Sequence, residues 1–236
     1  MAVKVVHPEL ARDRAFLSRF RQEVAAARMV SGAYTAPVVD AGDGDLPWLA
    51  TTLVVGPSLD EAVEQQGPLP EVSVWRLAAC LAEVHACGLV HRDLRPSNVL
   101  LAADGPRVID FGISRALDGT GLTGTGMLMG TPAFMSPEQA AGTPVGPATD
   151  VFSFGGVLTF AATGAGPFGD GSPVAMIYRV VHGEPRLAGL PGALPGLVTR
   201  CLARRPEDRP TFAELMEIIT ATWARRPPRC RSGRRP

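Results

Sequence analysis

Two short β-like runs, VLLA at Val99–Ala102 and RVIDFG at Arg107–Gly112, lie on either side of an Asp-Gly turn at Asp104–Gly105. The residues that flank these runs constrain the chain most. HRDLRPSN, at His91–Asn98, places the carboxylate of Asp93 five residues before the amide of Asn98. IDFG, at Ile109–Gly112, places a second carboxylate, Asp110, on a tight glycine turn directly after a strand. A carboxylate, an amide and a second carboxylate offer hard oxygen donors to a cation. The same groups can orient a hydroxyl for attack on a phosphate.

The remaining sequence supplies a mixed α/β first part and a mostly helical second part. Val3–Val6 reads as the end of a strand, and the stretch 12–30 is apolar on one face (Phe16, Phe20, Val24, Ala27), as a helix requires. Strand-like runs follow near 36–39 and 47–55. Ser58 is a plausible N-cap for a short helix, and the stretch 69–87 reads as a longer helix ended by Gly88. The Gly/Thr-rich stretch 117–131 has little hydrophobic periodicity and reads as a long loop. Helices are predicted near 147–163, 174–182, 194–203 and 212–223. Such segregation predicts two lobes with a cleft between them.

Composition excludes several classes. The formal net charge is zero, but the last 13 residues, ARRPPRCRSGRRP, carry six arginines and no acid, so the rest of the chain carries a net −6. A mildly acidic body does not suit nucleic acid, and the tail reads as a disordered end. Cys80, Cys87, Cys201 and Cys230 form no CxxC pair, which suggests neither a zinc site nor a disulfide framework and points to a reducing, cytoplasmic compartment. No run of 18 apolar residues predicts a transmembrane segment. Lys4 is the only lysine, every other basic residue apart from the histidines being arginine, a bias typical of GC-rich coding sequence and of actinobacteria.

The ordered motifs AVK (Ala2–Lys4), HRDLRPSN, DFG and SPE (Ser136–Glu138) resemble those of the bacterial eukaryotic-like (Hanks-type) serine/threonine protein kinases. The resemblance runs from Lys4 to about Trp223. It implies an α+β, two-lobed protein kinase-like fold, with residues 1–55 as a partial N-lobe, 56–223 as a mainly helical C-lobe and 224–236 as the tail. It implies transfer of the ATP γ-phosphate to serine or threonine hydroxyls of protein substrates, with ATP and Mg²⁺ as cofactors. Self-association and autophosphorylation belong to the same expectation.

Residue by residue, the resemblance makes Asp93 the group that accepts the substrate hydroxyl's proton. It makes Asn98 and Asp110 the metal ligands, Lys4 the partner of the α/β-phosphates, and Glu23 the partner of Lys4. Arg95 stands where most of these kinases have lysine and would meet the γ-phosphate. Thr51 aligns with the gatekeeper, and backbone groups around Thr52–Val54 would face adenine. Thr123 and Thr125 are expected phosphate acceptors that would pair with Arg92, and Thr131 would bond the catalytic aspartate. Glu138 would pair with Arg209, and Asp150 would anchor the catalytic loop.

The chain also departs from the pattern. The family's Gly-rich phosphate loop precedes the lysine, and only three residues stand before Lys4. The expectation is therefore a truncated N-lobe whose first strands are missing. Two explanations stay open. One is a start placed too far downstream, with Met1 standing for an upstream valine codon. The other is a true truncation that makes a catalytically impaired pseudokinase or a kinase fragment acting as a protein-binding module. The helix WRLAACLAEVHACG is also about four residues short for the family, roughly one turn or 6 Å.

Overall fold

The computed structural model of the chain describes residues 1–29, 34–86, 90–110 and 132–224. β1 (Ala2–Val5), β2 (Val38–Gly42) and β3 (Trp48–Thr51) form an antiparallel sheet in the order β1-β3-β2. Lys4 pairs with Leu49 across the β1–β3 ladder, so the two side chains share a face. α1 (Arg14–Met29) covers that face. Its Phe16, Phe20 and Val24, spaced four apart, pack with Val6 and Leu49 into one buried cluster. Asp13 starts the helix, accepting the N–H groups of Ala15 at 2.8 Å and Phe16 at 3.3 Å. This packing sets Lys4 and Glu23 on facing surfaces of the sheet and the helix.

β3 is shorter than the 47–55 run predicted from sequence. Thr52 N–H still reaches the Pro37 carbonyl at 2.9 Å, and the chain then leaves the ladder, while Thr35 on the neighbouring segment bridges to Val108 instead. It continues into α2 (Leu59–Gln66), where Ser58 N–H donates to Glu61 Oε2 at 2.8 Å in a capping box.

The second and larger cluster is built on helices α3 (Glu71–Ala86), α5 (Pro147–Thr163), α7 (Leu194–Cys201) and α8 (Phe212–Ala224). A four-residue α4 (Pro137–Ala140) and α6 (Pro173–His182) complete the described helices. α5 is apolar all round and buried along most of its length, as a central helix must be. Pro147 opens it, and Gly164 closes it at φ 77°, donating its N–H to the Phe160 carbonyl at 2.8 Å. A Cβ on Gly155 would lie 2.9 Å from Cys201 Cβ, so only glycine lets α5 and α7 approach this closely. β4 (Val99–Ala102) and β5 (Gly105–Val108) form the hairpin that the Asp-Gly turn predicts, in register from Val99↔Val108 to Ala102↔Gly105. A bridge between Thr35 and Val108 ties this hairpin to the segment that follows α1. Among the described residues no helix is long and apolar enough to cross a membrane.

Candidate active site

The chain between α3 and β4 is held from below by a single carboxylate. Asp150, fully buried in the first turn of α5, accepts the backbone N–H of Arg92 on Oδ1 at 2.7 Å and that of His91 on Oδ2. The positive end of the helix dipole favours a carboxylate there. His85 Nε2 lies 3.1 Å from the same Oδ2, and its ring stacks on Phe212 at 4.3 Å. Both buried histidines therefore lie against the Asp150 anchor.

His91 has its tautomer fixed by its partners. Nε2 faces the Ile109 carbonyl at 2.9 Å, which can only accept, and Nδ1 faces the N–H of Asp93 at 3.2 Å, which can only donate. The ring is therefore neutral, with its proton on Nε2. Burial pushes its pKa below the usual histidine value, against the opposing pull of Asp150. An unfolded histidine takes up a proton below about pH 6.5 while the folded one does not. This contribution to stability is therefore present above about pH 6.5 and is lost as pH falls, by at most about 1.4 kcal/mol per pH unit. Urea denaturation from pH 7 down to pH 5.5 should show a falling midpoint, and a His91→Gln variant should show a shallower fall.

Asn98 is buried and commits its amide nitrogen to Asp93, donating to the backbone carbonyl at 2.8 Å and to Oδ2 at 3.2 Å. Its amide oxygen accepts no hydrogen bond among the described residues. Asn98 also accepts Ile109 N–H on its backbone carbonyl at 3.0 Å, which joins the two ends of the β4–β5 hairpin. Asp93, Asn98 and Asp110 are thereby gathered in one place. Asp93 keeps a partly exposed carboxylate, with Arg95 Nε 3.5 Å from its Oδ2. Asp110 takes a left-handed backbone, φ 66°, which aspartate tolerates better than most residues. The hard oxygens of Asn98 and Asp110 fit Mg²⁺, which binds through one or two protein oxygens together with phosphate and water.

Across from this group the ion pairs differ from the expected ones. Lys4 Nζ pairs with Asp110 Oδ2, while Glu23 Oε1 pairs with Arg92 Nη1 at 3.1 Å. The expected Lys4–Glu23 pair is not formed. The carboxylate on α1 is held by the loop after α3, and the lysine of β1 by the residue that follows β5. The longer Arg92 fork takes the carboxylate on α1, and the compact ammonium takes the one after β5. Glu23 remains incompletely satisfied: its Oε2 is buried without a hydrogen-bond partner among the described residues. Burial pushes its carboxyl above the usual range, against the pull of Arg92 and Arg19.

The SPE segment is fastened to the helical core. Glu138 accepts Arg209 Nη1 on Oε1 at 2.7 Å and Nη2 on Oε2 at 2.9 Å, and also takes the Thr149 hydroxyl at 2.8 Å. Burial alone would raise its pKa, but the hydrogen bonds and charge of Arg209 outweigh it and hold the carboxyl below the usual range. Arg209 in turn lies 5.0 Å from the Phe152 ring centroid. Thr51 ends β3, and beyond it Leu53 and Val54 make no backbone hydrogen bond to other main-chain groups among the described residues. Thr123, Thr125, Thr131 and residues 225–236 of the tail lie outside the described residues. The sequence reading missed His85 and Gln139. The second had a visible signal, the S-x-x-Q spacing from Ser136 to Gln139 of a capping box.

A family model described as the protein kinase domain matches residues 1–221. The chain belongs to the protein kinase family. A probable serine/threonine-protein kinase, PkwA, of Thermomonospora curvata is 52% identical over 225 residues, which cover 93% of this chain and 30% of the relative. The serine/threonine-protein kinase AfsK of Streptomyces coelicolor is 50% identical over 221 residues, covering 91% of this chain and 28% of the relative. PknB of Mycobacterium leprae, also a serine/threonine-protein kinase, is 35% identical over 245 residues, covering 97% and 39%. The kinase chain therefore spans under a third of the length of the first two relatives. Its small antiparallel sheet and mainly helical second part are the mixed α/β architecture expected of the family.

Proposed function

We propose that this chain transfers the γ-phosphoryl group of ATP to serine or threonine hydroxyls of proteins. The observation that carries the reading is the gathering of Asp93, Asn98 and Asp110 at one end of the β4–β5 hairpin, on a loop anchored from inside the core. Asp93, partly exposed and oriented by Asn98, would accept the proton of the attacking hydroxyl. Asn98 and Asp110 would hold Mg²⁺, which when bound offsets the charge of the phosphates. Lys4 and Arg95 would add positive charge toward the transferred group, Arg95 with a flatter and wider donor set than a lysine. Adenine would lie against Thr51 and the main-chain groups of Thr52–Val54, between lobes formed by residues 1–55 and 56–223. Phosphate on Thr123 or Thr125 would compete with Glu23 for Arg92 and free Glu23 for Lys4. A cytoplasmic location, protein substrates and self-association follow from the same reading.

The second reading is a protein-binding module that does not transfer phosphate. The Arg92–Glu23 pair favours it, because Lys4 then lacks the carboxylate expected to hold it. γ-Labelled ATP and a general serine- and threonine-containing acceptor protein separate the two. Phosphoserine or phosphothreonine in the acceptor supports the kinase. Nucleotide binding with no labelled acceptor supports the module.

A further inference from the structure

Gln139 follows the SPE triad directly, and both ends of its carboxamide are used. Oε1 accepts the N–H of Ser136 at 3.0 Å, completing the cap of α4. Nε2 donates to the backbone carbonyl of Arg92 at 2.7 Å, across 47 residues of sequence. The side chain is buried.

The carbonyl it holds belongs to a special residue. Arg92 and Asp110 are the two non-glycine residues at positive φ among those described, each at 66°. A bulky side chain in this region persists only where the surroundings over-determine it. Arg92 N–H is taken by Asp150 of α5, and Arg92 C=O is taken by Gln139 of α4. The peptide unit from Arg92 to Asp93 is likewise fixed at both its polar atoms, the oxygen by Gln139 and the Asp93 N–H by His91 Nδ1 at 3.2 Å. That peptide plane sets the direction in which the Asp93 side chain leaves the loop.

We infer that Gln139 is a positioning residue for phosphoryl transfer: its hydrogen bond to the Arg92 carbonyl fixes the peptide plane that aims Asp93 and couples it to the Ser136–Glu138 segment. The residue type is explained by this double duty. A capping box accepts glutamate or glutamine at this place. Only the amide can also donate to a carbonyl, whereas an ionised glutamate would turn an oxygen toward it.

The inference rests on the kinase reading, and the variant Gln139→Glu tests it within the full chain. The substitution keeps the cap and removes the donor. The expected result at pH 8 is a kcat lower by about 10–10²-fold, with the KM for ATP within about twofold and a lower Tm that recovers toward pH 6, because the ionised carboxylate is buried against a carbonyl. Lowering the pH from about 8 to about 6 should restore part of that kcat relative to wild type, because a protonated glutamate can donate again. Gln139→Met, which loses both bonds, should show the lower kcat without the recovery, and it decides the matter if Gln139→Glu does not fold.

Amide hydrogen exchange gives a readout independent of turnover. Arg92 and Asp93 should exchange faster in both variants, with α8 unchanged. Wild-type kcat in a folded variant, or unchanged exchange at Arg92 and Asp93, overturns the assignment. Absence of transfer by the wild type fails the kinase reading instead, and the exchange result then decides the coupling by itself.

Discussion

Asp93→Asn should lower phosphoryl transfer by about 10²–10⁴-fold, the range for loss of a positioned proton acceptor. Asp110→Asn should lower it by a comparable factor through loss of charge at the metal. Neither change should unfold the protein. Asn98 holds the backbone carbonyl of residue 93 as well as its carboxylate, so the loop keeps one of its two bonds from Asn98. Position 110 has a left-handed backbone, which asparagine adopts readily. The two variants should differ in binding: Asp110→Asn should weaken Mg-ATP, because an amide oxygen is a poorer cation ligand, while Asp93→Asn should bind it nearly as wild type. Calorimetric titration with Mg-ATP and a transfer assay on the same samples check both halves.

The largest effect on stability is expected at Glu138. Its partner Arg209 has a side chain with no exposed surface. Glu138→Ala would leave that guanidinium buried without its carboxylate, which costs about 3–5 kcal/mol. In a chain of this length that is about 6–20 °C in Tm. Arg209 would keep its bonds to the carbonyls of Ala203, Arg204 and Ala148, but the two N–H groups that face Glu138 would lose their acceptors along with the opposite charge. Two controls separate the pair from packing. Glu138→Gln should lose less, because it keeps an acceptor. A Glu138→Met, Arg209→Met double variant should recover part of the loss, because no isolated charge remains. Thermal unfolding of the four proteins at pH 7 reads all of this. Below about pH 4.5 the wild type should lose stability as Glu138 takes up its proton, since its folded pKa is depressed.

The backbone of the structure is written locally and was readable. Pro147 and Gly164 mark the ends of α5, the Asp-Gly turn marks the β4–β5 hairpin, and Phe16, Phe20 and Val24 mark the buried face of α1. Each of these signals acts within one element, where period and turn chemistry decide the outcome. The identities of the site residues were likewise carried by ordered motifs. Their partners were not. Whether Glu23 meets Lys4 or Arg92 depends on side chains from segments far apart in sequence, and no periodicity encodes that choice. Gln139 was overlooked for a similar reason. Its cap is local and visible, but its second bond reaches 47 residues back to a carbonyl whose exposure depends on the left-handed turn at Arg92. β3 ends before its apolar run does because the neighbouring segment turns to another partner, Thr35 bridging to Val108, a pairing that lies outside any one element.

The central claim is that the gathered Asp93, Asn98 and Asp110 transfer phosphate. Intact-mass analysis tests it most directly: the 236-residue chain is incubated with Mg-ATP and an acceptor protein, beside its Asp93→Asn variant. Phosphate is expected on the chain or on the acceptor with the wild type, and at least about 10²-fold less of it with the variant. Phosphate appearing equally with Asp93→Asn, or on neither protein with the wild type, would contradict it.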